Sequence, residues 1–537
     1  MVSEELPLKR IVISNIKMPV RHSEDEAVCA AVKRASELGA RVLDPVIVKK
    51  SVDARKRNEI HFVYSFSFVC ENIDKIRERD GLHICAEESE FTPKSLLNGK
   101  KCDKKEKIII AGSGPCGLFA ALTLSECGME PTIIERGDNV DVRHEKISRF
   151  WAGGALDPNT NVQFGEGGAG TFSDGKLNSR IGDPLQKYIL KTFVRYGAPK
   201  EILYQSKPHI GTDLLRDCVK NIRNAIIKNG GTVRFNSCMT DIFVKDGKIE
   251  EIEVNGSERL ECDRLIAALG HSSRDTYEML NRRGVAMTQK PFAAGVRIEH
   301  TREFINHVQY GAAAARDAEF LPTADYRLAY NGESRSCYSF CMCPGGVVVN
   351  ASSEPERLTV NGMSYHSRME RNSNSALAVT VRPEDFGGDS PLAGVEFQRK
   401  YEALAYRAAC GKAPVQLARD FLNNKCSSGF DGVYPSFTGE TEFAELRGCL
   451  PGFIADTLCD GLKYFDRKIN GFSSGGAVLT GIEMRTSAPV RIIRDEGFES
   501  IKVKGLIPTG EGAGYAGGIM SAAVDGVKAA AALLRGV

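Results

Sequence analysis

Three glycines in a short turn are the residues of this chain best placed to bind a phosphate. Gly112, Gly114 and Gly117 lie in the stretch 107–137, which reads KIIIAGSGPCGLFAALTLSECGMEPTIIERG. In a strand–turn–helix unit, the first glycine permits the tight turn, the second leaves space for a pyrophosphate, and the third lets helix and strand pack closely. The spacing therefore predicts a dinucleotide-binding turn.

An acidic residue follows at the distance expected of the group that binds the ribose. Glu135 ends the second apolar run of this stretch. Its carboxylate can accept hydrogen bonds from both ribose hydroxyls, and its charge repels a 2′-phosphate, which disfavours NADP. Pro115 and Cys116 begin the intervening helix, whose N-terminal N–H groups face the phosphates. With Arg136, which follows the acid, these residues form the first half of the predicted cofactor site.

A second glycine-rich turn lies at the other end of the chain. The sequence LIPTGEGAGYAGG is a short strand that leads through Gly510 and Glu511 to Gly517 and Gly518, and a helix begins at Ile519. This turn resembles the C-terminal motif of glutathione-reductase-type flavoproteins, in which an acid meets the ribityl chain and a helix N-terminus faces the flavin. The resemblance favours FAD over NAD as the cofactor.

A third glycine-rich segment, FGEGGAGTFSDGKL, begins at Phe164. Its glycine content excludes a helix or strand and predicts a loop whose backbone can approach a planar ring closely. The loop resembles the flavin-facing loop of fumarate-reductase-like flavoproteins. Gly168, Gly170 and Thr171 are therefore predicted cofactor contacts, as is Gly270 at the end of the later core strand LIAALG.

Polar residues near these turns are the candidates for chemistry. Ser173 and Lys176 leave the glycine loop directly, and Lys176 is predicted to act electrostatically or as a proton relay, unless its ammonium group only reaches solvent. Arg297 lies on a strand with charges at alternate positions and could clamp a carboxylate or be a structural ion-pair partner. Cys341 and Cys343 are expected to be buried apolar cysteines, because one intervening residue makes a strained disulfide.

Composition narrows the remaining function classes. The chain has 537 residues and a formal net charge of +2, which gives no argument for nucleic acid or a membrane surface. No apolar run is long enough to span a bilayer, and the N-terminus lacks a signal-peptide core. Its 16 cysteines contain no CxxC pair, so they are read as reduced thiols with no metal site. The sequence predicts a cytoplasmic protein with a small-molecule substrate and leaves its oligomeric state open.

The elements that must position these residues predict an α/β fold with discontinuous domains. The proposed parts are a Rossmann-like FAD-binding domain, an inserted α+β substrate domain and an N-terminal ferredoxin-like α+β module of order βαββαβ, with a second helix near 72–79. Their expected bounds are 1–95 for the module, 106–138, 209–275 and 475–537 for the FAD-binding domain, and 139–208 and 276–474 for the substrate domain.

Taken together, the motifs resemble those of a widespread family of bacterial FAD-dependent dehydrogenases. The resemblance is carried by GSGPCGL, FGEGGAGTFSDGKL, CMCPGG, RTSAPVRI and GEGAGYAGGI. The family is related to fumarate-reductase-like and geranylgeranyl-reductase-like flavoproteins. The resemblance implies one non-covalently bound FAD and an oxidoreductase activity, for which hydride transfer at flavin N5 is the expected chemistry. It implies no particular substrate.

Two other functions stay open at this point. The basic N-terminal module would suit a flavoprotein that modifies RNA, as the tRNA-modifying glucose-inhibited division protein A does. It lacks the paired aromatic residues of an RNA-recognition motif, which disfavours nucleic acid as a partner. A flavoprotein scaffold can also be a non-catalytic binding protein, as in the Rab GDP-dissociation inhibitors. The intact dinucleotide turn and both flavin-facing loops argue against that second alternative.

Overall fold

A computed structural model describes residues 9–85, 91–97, 106–177 and 182–535. The α-helices of these residues are α1 (Glu24–Glu37), α2 (Pro115–Glu126), α3 (Val140–Trp151), α4 (Leu185–Arg195), α5 (Thr212–Lys228), α6 (Arg274–Arg282), α7 (Arg302–Tyr310), α8 (Ala313–Arg316), α9 (Ala393–Ala408), α10 (Ala418–Leu422), α11 (Gly452–Lys468) and α12 (Ile519–Arg535).

The strands of the same residues are β1 (Arg10–Pro19), β2 (Val42–Asp53), β3 (His61–Cys70), β4 (Leu82–Cys85), β5 (Ile108–Ala111), β6 (Thr132–Ile134), β7 (Thr232–Arg234), β8 (Met239–Lys245), β9 (Lys248–Val254), β10 (Glu258–Glu261), β11 (Arg264–Ala267), β12 (Met287–Gln289), β13 (Phe292–Thr301), β14 (Ala329–Asn331), β15 (Ser336–Cys343), β16 (Val347–Asn350), β17 (Val360–Met363), β18 (Asn372–Val381), β19 (Ala413–Leu417), β20 (Thr441–Phe443), β21 (Val478–Glu483), β22 (Val490–Ile492) and β23 (Leu506–Pro508).

The chain divides into two compact units. The first contains the N-terminal residues up to Phe91 together with Pro199–Pro208 and Glu303–Ala324. The second contains Thr92–Ala198, His209–Arg302 and the chain from Asp325 onward. The division differs from the expected bounds, because both later segments of the first unit had been assigned to the substrate domain. Their contacts explain this: the Lys50 N–H donates to the Tyr204 carbonyl at 2.7 Å, and Leu321 packs on the core of the first unit.

In the first unit an antiparallel sheet has the strand order β2-β3-β1-β4. Helix α1 begins with a capping box, in which the Ser23 hydroxyl accepts from the Glu26 N–H and the Glu26 carboxylate accepts from the Ser23 N–H. The alanines on one side of α1 are buried against the aromatic residues of β3, such as Phe66 and Phe68. Small residues on the helix and large ones on the strand fill this core.

The expected second helix of the first unit is not formed. Within 71–85, all of which the structure describes, the only helical residues are a 3-10 turn at Ile73–Lys75. Asn72 cannot cap a helix there, because its side-chain oxygen accepts from the Arg41 N–H at 2.8 Å and its amide donates to the Gly39 carbonyl at 2.9 Å. The prediction of a helix near 72–79 was therefore wrong.

The second unit contains a parallel sheet of order β23-β11-β5-β6-β7. Strands β5, β11 and β23 of this sheet are short and almost entirely buried, as expected of a sheet covered on both faces. Helices α2 and α12 pack on each other, and a Cβ on Gly526 of α12 would lie 2.1 Å from the Cys116 carbonyl oxygen. The close approach of the helices therefore requires glycine at that position.

A larger sheet of the second unit has the order β14-β15-β18-β13-β21-β19-β20. Strand β13 lies inside this sheet, between β18 and β21, and nearly all of its residues are buried. Strand β15 is irregular between Phe340 and Cys343, where Cys341 adopts a φ of +44°. Among the described residues, no helix combines the length and apolar character needed to cross a membrane.

Candidate active site

A cavity of about 1060 Å³ lies in the second unit. Its walls come from the turn after β5, the glycine loop before Lys176, the end of β11, strand β15 and the start of α12. The volume is slightly above the usual range for ligand sites, about 300–1,000 Å³. Its lining includes these predicted site residues: Gly112, Gly114, Pro115, Cys116, Glu135, Arg136, Gly168, Gly170, Ser173, Lys176, Gly270, Glu511, Gly517, Gly518 and Ile519.

The three glycines of the turn after β5 have different structural roles. Gly112 has a φ of +106°, and a Cβ there would lie 2.3 Å from the Ala268 carbonyl oxygen. A Cβ on Gly117 would lie 1.9 Å from the Gly112 carbonyl oxygen, so this residue acts through packing and does not reach the cavity. Gly114 is open, with Gly168 as its nearest neighbour at 3.8 Å. The space beside Gly114 can therefore take a group that touches the backbone.

Glu135 is fixed by four hydrogen bonds from its own protein. One carboxylate oxygen accepts from the Ser113 N–H at 2.9 Å and the Ser113 hydroxyl at 2.8 Å. The other accepts from the N–H groups of Gly137 at 3.1 Å and Gly165 at 3.0 Å. These donors fill the roughly four acceptor positions of a carboxylate. A ribose hydroxyl can bind only by displacing one of them, and the Ser113 hydroxyl is the donor that can rotate away.

Arg136 is held at the cavity wall by an ion pair and an aromatic ring. Its guanidinium donates to both carboxylate oxygens of Asp275, at 2.9 and 3.0 Å. It also lies 4.2 Å from the centroid of the Phe164 ring. One face of the guanidinium is therefore covered by Phe164, and its main charge partner is already present.

The C-terminal turn leaves the start of α12 accessible. A Cβ on Gly517 or Gly518 would meet no atom within 4 Å. Gly510 does not line the cavity; it packs against Cys116, and a Cβ on Gly510 would be 2.9 Å from the Cys116 side chain. Burial raises the pKa of Glu511 to about 7, although Lys290 opposes this shift. The turn thus brings backbone N–H groups and a carboxyl that titrates near neutral pH to one side of the cavity.

The glycine loop is supported by Arg143, a residue that the sequence analysis did not select. Arg143 is buried in α3, and its guanidinium donates to five loop carbonyls, those of Asn161, Val162, Gly165, Glu166 and Gly168. The guanidinium also lies 4.8 Å from the centroid of the Phe172 ring. An arginine in a polar helix gives no sequence signal for this role. Thr171 is fully buried in the loop and does not line the cavity.

Ser173 and Lys176 both reach the cavity wall but make different contacts. The Ser173 hydroxyl donates to the Gly170 carbonyl at 2.7 Å, which fixes the loop. The Lys176 ammonium donates to the Met342 carbonyl and lies 3.1 Å from the Asp174 carboxylate. Burial alone would lower the pKa of Lys176, but the Asp174 charge outweighs it and raises the pKa. Lys176 is therefore a fixed positive charge, and this favours an electrostatic role over a proton relay.

Arg297 does not line the cavity, so of its two expected roles the structure supports the ion-pair partner and not the substrate clamp. It is fully buried, and its Nε donates to Glu483 at 2.7 Å. It also donates to the Asn374 side-chain oxygen at 2.8 Å and to the Cys341 carbonyl at 3.2 Å. The N–H groups of its guanidinium are thus occupied by partners on neighbouring strands. Glu483 does reach the cavity, and burial raises its pKa to about 7 against the opposing charge of Arg297.

The two cysteines of β15 differ in exposure. Cys343 is fully buried, whereas Cys341 is partly exposed and lines the cavity. The expectation of apolar burial is therefore wrong for Cys341. The neighbouring Cys343 thiol and the positive charges of Lys176 and Arg297 lower the pKa of the Cys341 thiol, although burial opposes this shift. The sequence offered only the Cys-Met-Cys spacing as a signal.

A buried charge cluster closes another side of the cavity. Glu402 accepts from Arg274 at 2.6 Å and from Arg485 at 2.8 Å. The nearby His271 lines the cavity, and burial together with the charges of Arg485 and Arg274 lowers its pKa to about 3. His271 is therefore neutral at pH 7 and cannot serve as a protonated donor. In the described residues, no group of histidine, cysteine and acidic side chains is arranged to hold a metal ion.

Comparisons with known proteins identify the family. Residues 291–486 match a family model described as "FAD-dependent protein, C-terminal domain-like". A Clostridium beijerinckii protein, described as an uncharacterized protein, is 52% identical over 492 residues, which cover 90% of this chain and 91% of its own length. The chain belongs to this family of FAD-dependent proteins. FAD is the cofactor of the family and of this protein.

Solved structures similar to this FAD-dependent protein are distant. CtdE in complex with FAD is 13% identical with a TM-score of 0.33, covering 80% of this chain and 84% of its own. The halogenase PltM is 10% identical with a TM-score of 0.36, covering 80% and 68%. The flavin-dependent halogenase CmlS is 15% identical with a TM-score of 0.36, covering 81% and 59%. At these values the similarities support no inference about activity.

The cavity of this FAD-dependent protein fits its cofactor. Gly114 offers space for a pyrophosphate beside the start of α2, where N–H groups are available. Gly517 and Gly518 offer the same open backbone at the start of α12. A Cβ at any of these three glycines would enter the open space of the cavity. The residues present therefore suit a long, anionic cofactor that touches backbone at both ends.

Proposed function

We propose that this protein is an FAD-dependent oxidoreductase that acts on a small substrate by hydride transfer at flavin N5. The pyrophosphate of FAD would lie beside Gly114 and Gly168, and the flavin would lie between the glycine loop and the start of α12. In this arrangement the sheet of β5, β6, β7, β11 and β23 forms the core of the FAD-binding domain. Bound FAD supplies the hydride chemistry, and the protein supplies orientation and charge.

The observation that carries the proposal is the set of ionisable groups on one cavity. Glu483 and Glu511 both have a pKa raised to about 7 by burial, and Lys176 is held as a cation. Groups whose pKa values are shifted in this way collect at sites of proton and charge transfer. A protein that only binds FAD or a partner has no need of them. They favour an enzyme over a non-catalytic scaffold.

The protein's own residues would divide the work as follows. Lys176 and the Gly518 N–H at the start of α12 would stabilise negative charge that develops on the reduced cofactor. The Gly517 N–H already donates to the Ser521 hydroxyl at 3.1 Å. Glu511 and Glu483 would take up or release a proton at neutral pH. Ser173 would hold the glycine loop in place through Gly170 and make no direct contact with the reacting atoms.

The proposal is tested on purified holoprotein under anaerobic conditions. A panel of donors and acceptors is screened for those that reduce or reoxidise the bound flavin, followed by its absorbance. Lys176→Met should keep FAD bound but slow the active half-reaction at least about tenfold, because one fixed charge near developing charge is removed. Lys187→Met, an exposed lysine of α4, is the matched control and should behave as the wild type. A flavin that no donor or acceptor turns over would contradict the proposal.

A further inference from the structure

We propose that Cys341 and Cys343 form a redox-active thiol pair that exchanges two electrons with the bound flavin. This inference rests on the proposed function and adds to it the class of electron carrier. Dithiols and disulfides would then be the substrates or relays that the cavity serves.

The backbone of β15 places the two thiols unequally. On a regular strand, residues two apart would lie on the same face and have similar surroundings. Here the strand is irregular between Phe340 and Cys343, and Cys341 has a φ of +44°, a conformation that is rare for residues other than glycine. Cys341 consequently faces the cavity while Cys343 is covered. The Cys343 thiol still lies close, since it donates to the Cys341 carbonyl at 3.4 Å.

Two cations hold this segment. Lys176 donates to the carbonyl of Met342, the residue between the cysteines, and Arg297 donates to the Cys341 carbonyl. The Arg297 guanidinium also lies 3.9 Å from the Cys343 sulfur. Hydrogen bonds from Lys176, at the end of the glycine loop, and from Arg297, on β13, thus hold the segment in place. Strain of this kind at a cavity wall is typical of functional positions.

The charges around Cys341 favour its thiolate. The neighbouring Cys343 thiol, Lys176 and Arg297 lower the pKa of the Cys341 thiol, and burial and the Asp174 carboxylate oppose them. The negative charge of a Cys341 thiolate also raises the pKa of the Glu483 and Glu511 carboxyls. A thiolate that is accessible and lies beside a second thiol is the arrangement of reactive redox cysteines, whereas structural cysteines are buried and neutral.

The exchange balances in atoms and electrons. The Cys341 thiolate and the Cys343 thiol form one S–S bond and give up two electrons and one proton. These two electrons and the proton would go to the bound oxidised flavin. In the opposite direction, the Cys341–Cys343 disulfide would accept two electrons and one proton from the reduced cofactor, which would restore one thiolate and one thiol. An external dithiol or disulfide would exchange with Cys341, because Cys343 is out of its reach.

The test is an anaerobic reductive titration of full-length holoprotein that has first been oxidised with a diazene-type thiol oxidant. The wild type should consume about four electrons per FAD, two for the flavin and two for the disulfide, since each is a two-electron couple. Cys341→Ser and Cys343→Ser should each consume about two. Cys410→Ser, which removes an exposed cysteine elsewhere, is the matched control and should consume about four. Alkylation and peptide mass spectrometry should locate the disulfide at positions 341 and 343.

The outcomes separate this inference from the proposed function. A wild type that consumes only about two electrons and contains no 341–343 disulfide would overturn the thiol pair. If its flavin still cycles with a donor and an acceptor in that case, the oxidoreductase proposal stands. If the disulfide forms but is not reduced by the bound flavin once that flavin has been reduced, the flavin is not its partner and the inference is also overturned. Bound FAD in each variant, seen by absorbance, excludes misfolding as the cause.

Discussion

Arg143→Met should release the glycine loop from helix α3. Of the five loop carbonyls that Arg143 binds, those of Asn161, Val162 and Glu166 accept from no other donor among the described residues. Leaving a buried acceptor unsatisfied costs about 1–3 kcal/mol, so a loop that stayed closed would lose about 3–9 kcal/mol. This cost is comparable with the total stability of a typical domain, about 5–15 kcal/mol. The loop should therefore open to water.

An opened loop removes one wall of the cavity, so FAD binding reports the effect. Flavin-free Arg143→Met, titrated with FAD, should bind at least about 100-fold more weakly than the wild type, which corresponds to about 2.7 kcal/mol. Limited proteolysis should cut the variant within residues 161–170. Arg149→Met is the matched control, because Arg149 is an exposed arginine of the same helix. Equal FAD affinity and equal protease resistance in the two variants would refute the assigned role of Arg143.

Three further outcomes follow from contacts of the cavity wall. Gly117→Ala should abolish FAD binding, since its Cβ would lie 1.9 Å from the Gly112 carbonyl oxygen, whereas Gly448→Ala, with no atom within 4 Å, should bind normally in the same titration. Glu135→Gln should lower the free energy of unfolding, measured by denaturant titration, by about 1–3 kcal/mol, because an amide cannot accept from all four donors; an unchanged free energy of unfolding would contradict this. Burial raises the pKa of Glu511 from 4.5 to about 7, so the folded protein retains a proton that the unfolded chain has lost, and stability should fall as pH rises through this window. Thermal unfolding of flavin-free Glu511→Gln between pH 5 and 7 should show a flatter slope than the wild type.

The parts of the site that the sequence could predict are those set by local backbone geometry. Gly112 and Gly114 have roles within one turn, and the start of α12 needs only the glycines that precede Ile519. Such turns can be recognised from a short stretch of sequence, because the chain must turn there whatever packs around it. The cavity lining accordingly includes most residues predicted from these turns.

The parts that the sequence could not predict depend on distant partners. Alternate charges on β13 suggested one polar, accessible face, yet this strand lies between two others and its polar face is covered. Arg297 therefore lies in the alternating sequence pattern expected of a solvent-facing arginine, but its surroundings are those of a core residue. The exposure of Cys341 was predicted wrongly for a related reason, since a single positive φ turns its side chain into the cavity and no residue type indicates that φ. Arg143 binds carbonyls that follow it by about 20 residues, and contacts at that separation leave no periodic pattern in the sequence.

The order of strands in the parallel sheet has a consequence for how the protein is made. Strands β5 and β11 precede β23 by about 400 and 240 residues, and α12, which packs on α2, is the last helix described. At about 5–20 residues per second, β5 leaves the ribosome roughly 20–80 s before β23 exists. During that interval α2 exposes the surface that α12 will cover. A nascent chain should therefore acquire FAD only after α12 has been synthesised, and loss of α12 should leave a protein that no added cofactor can rescue.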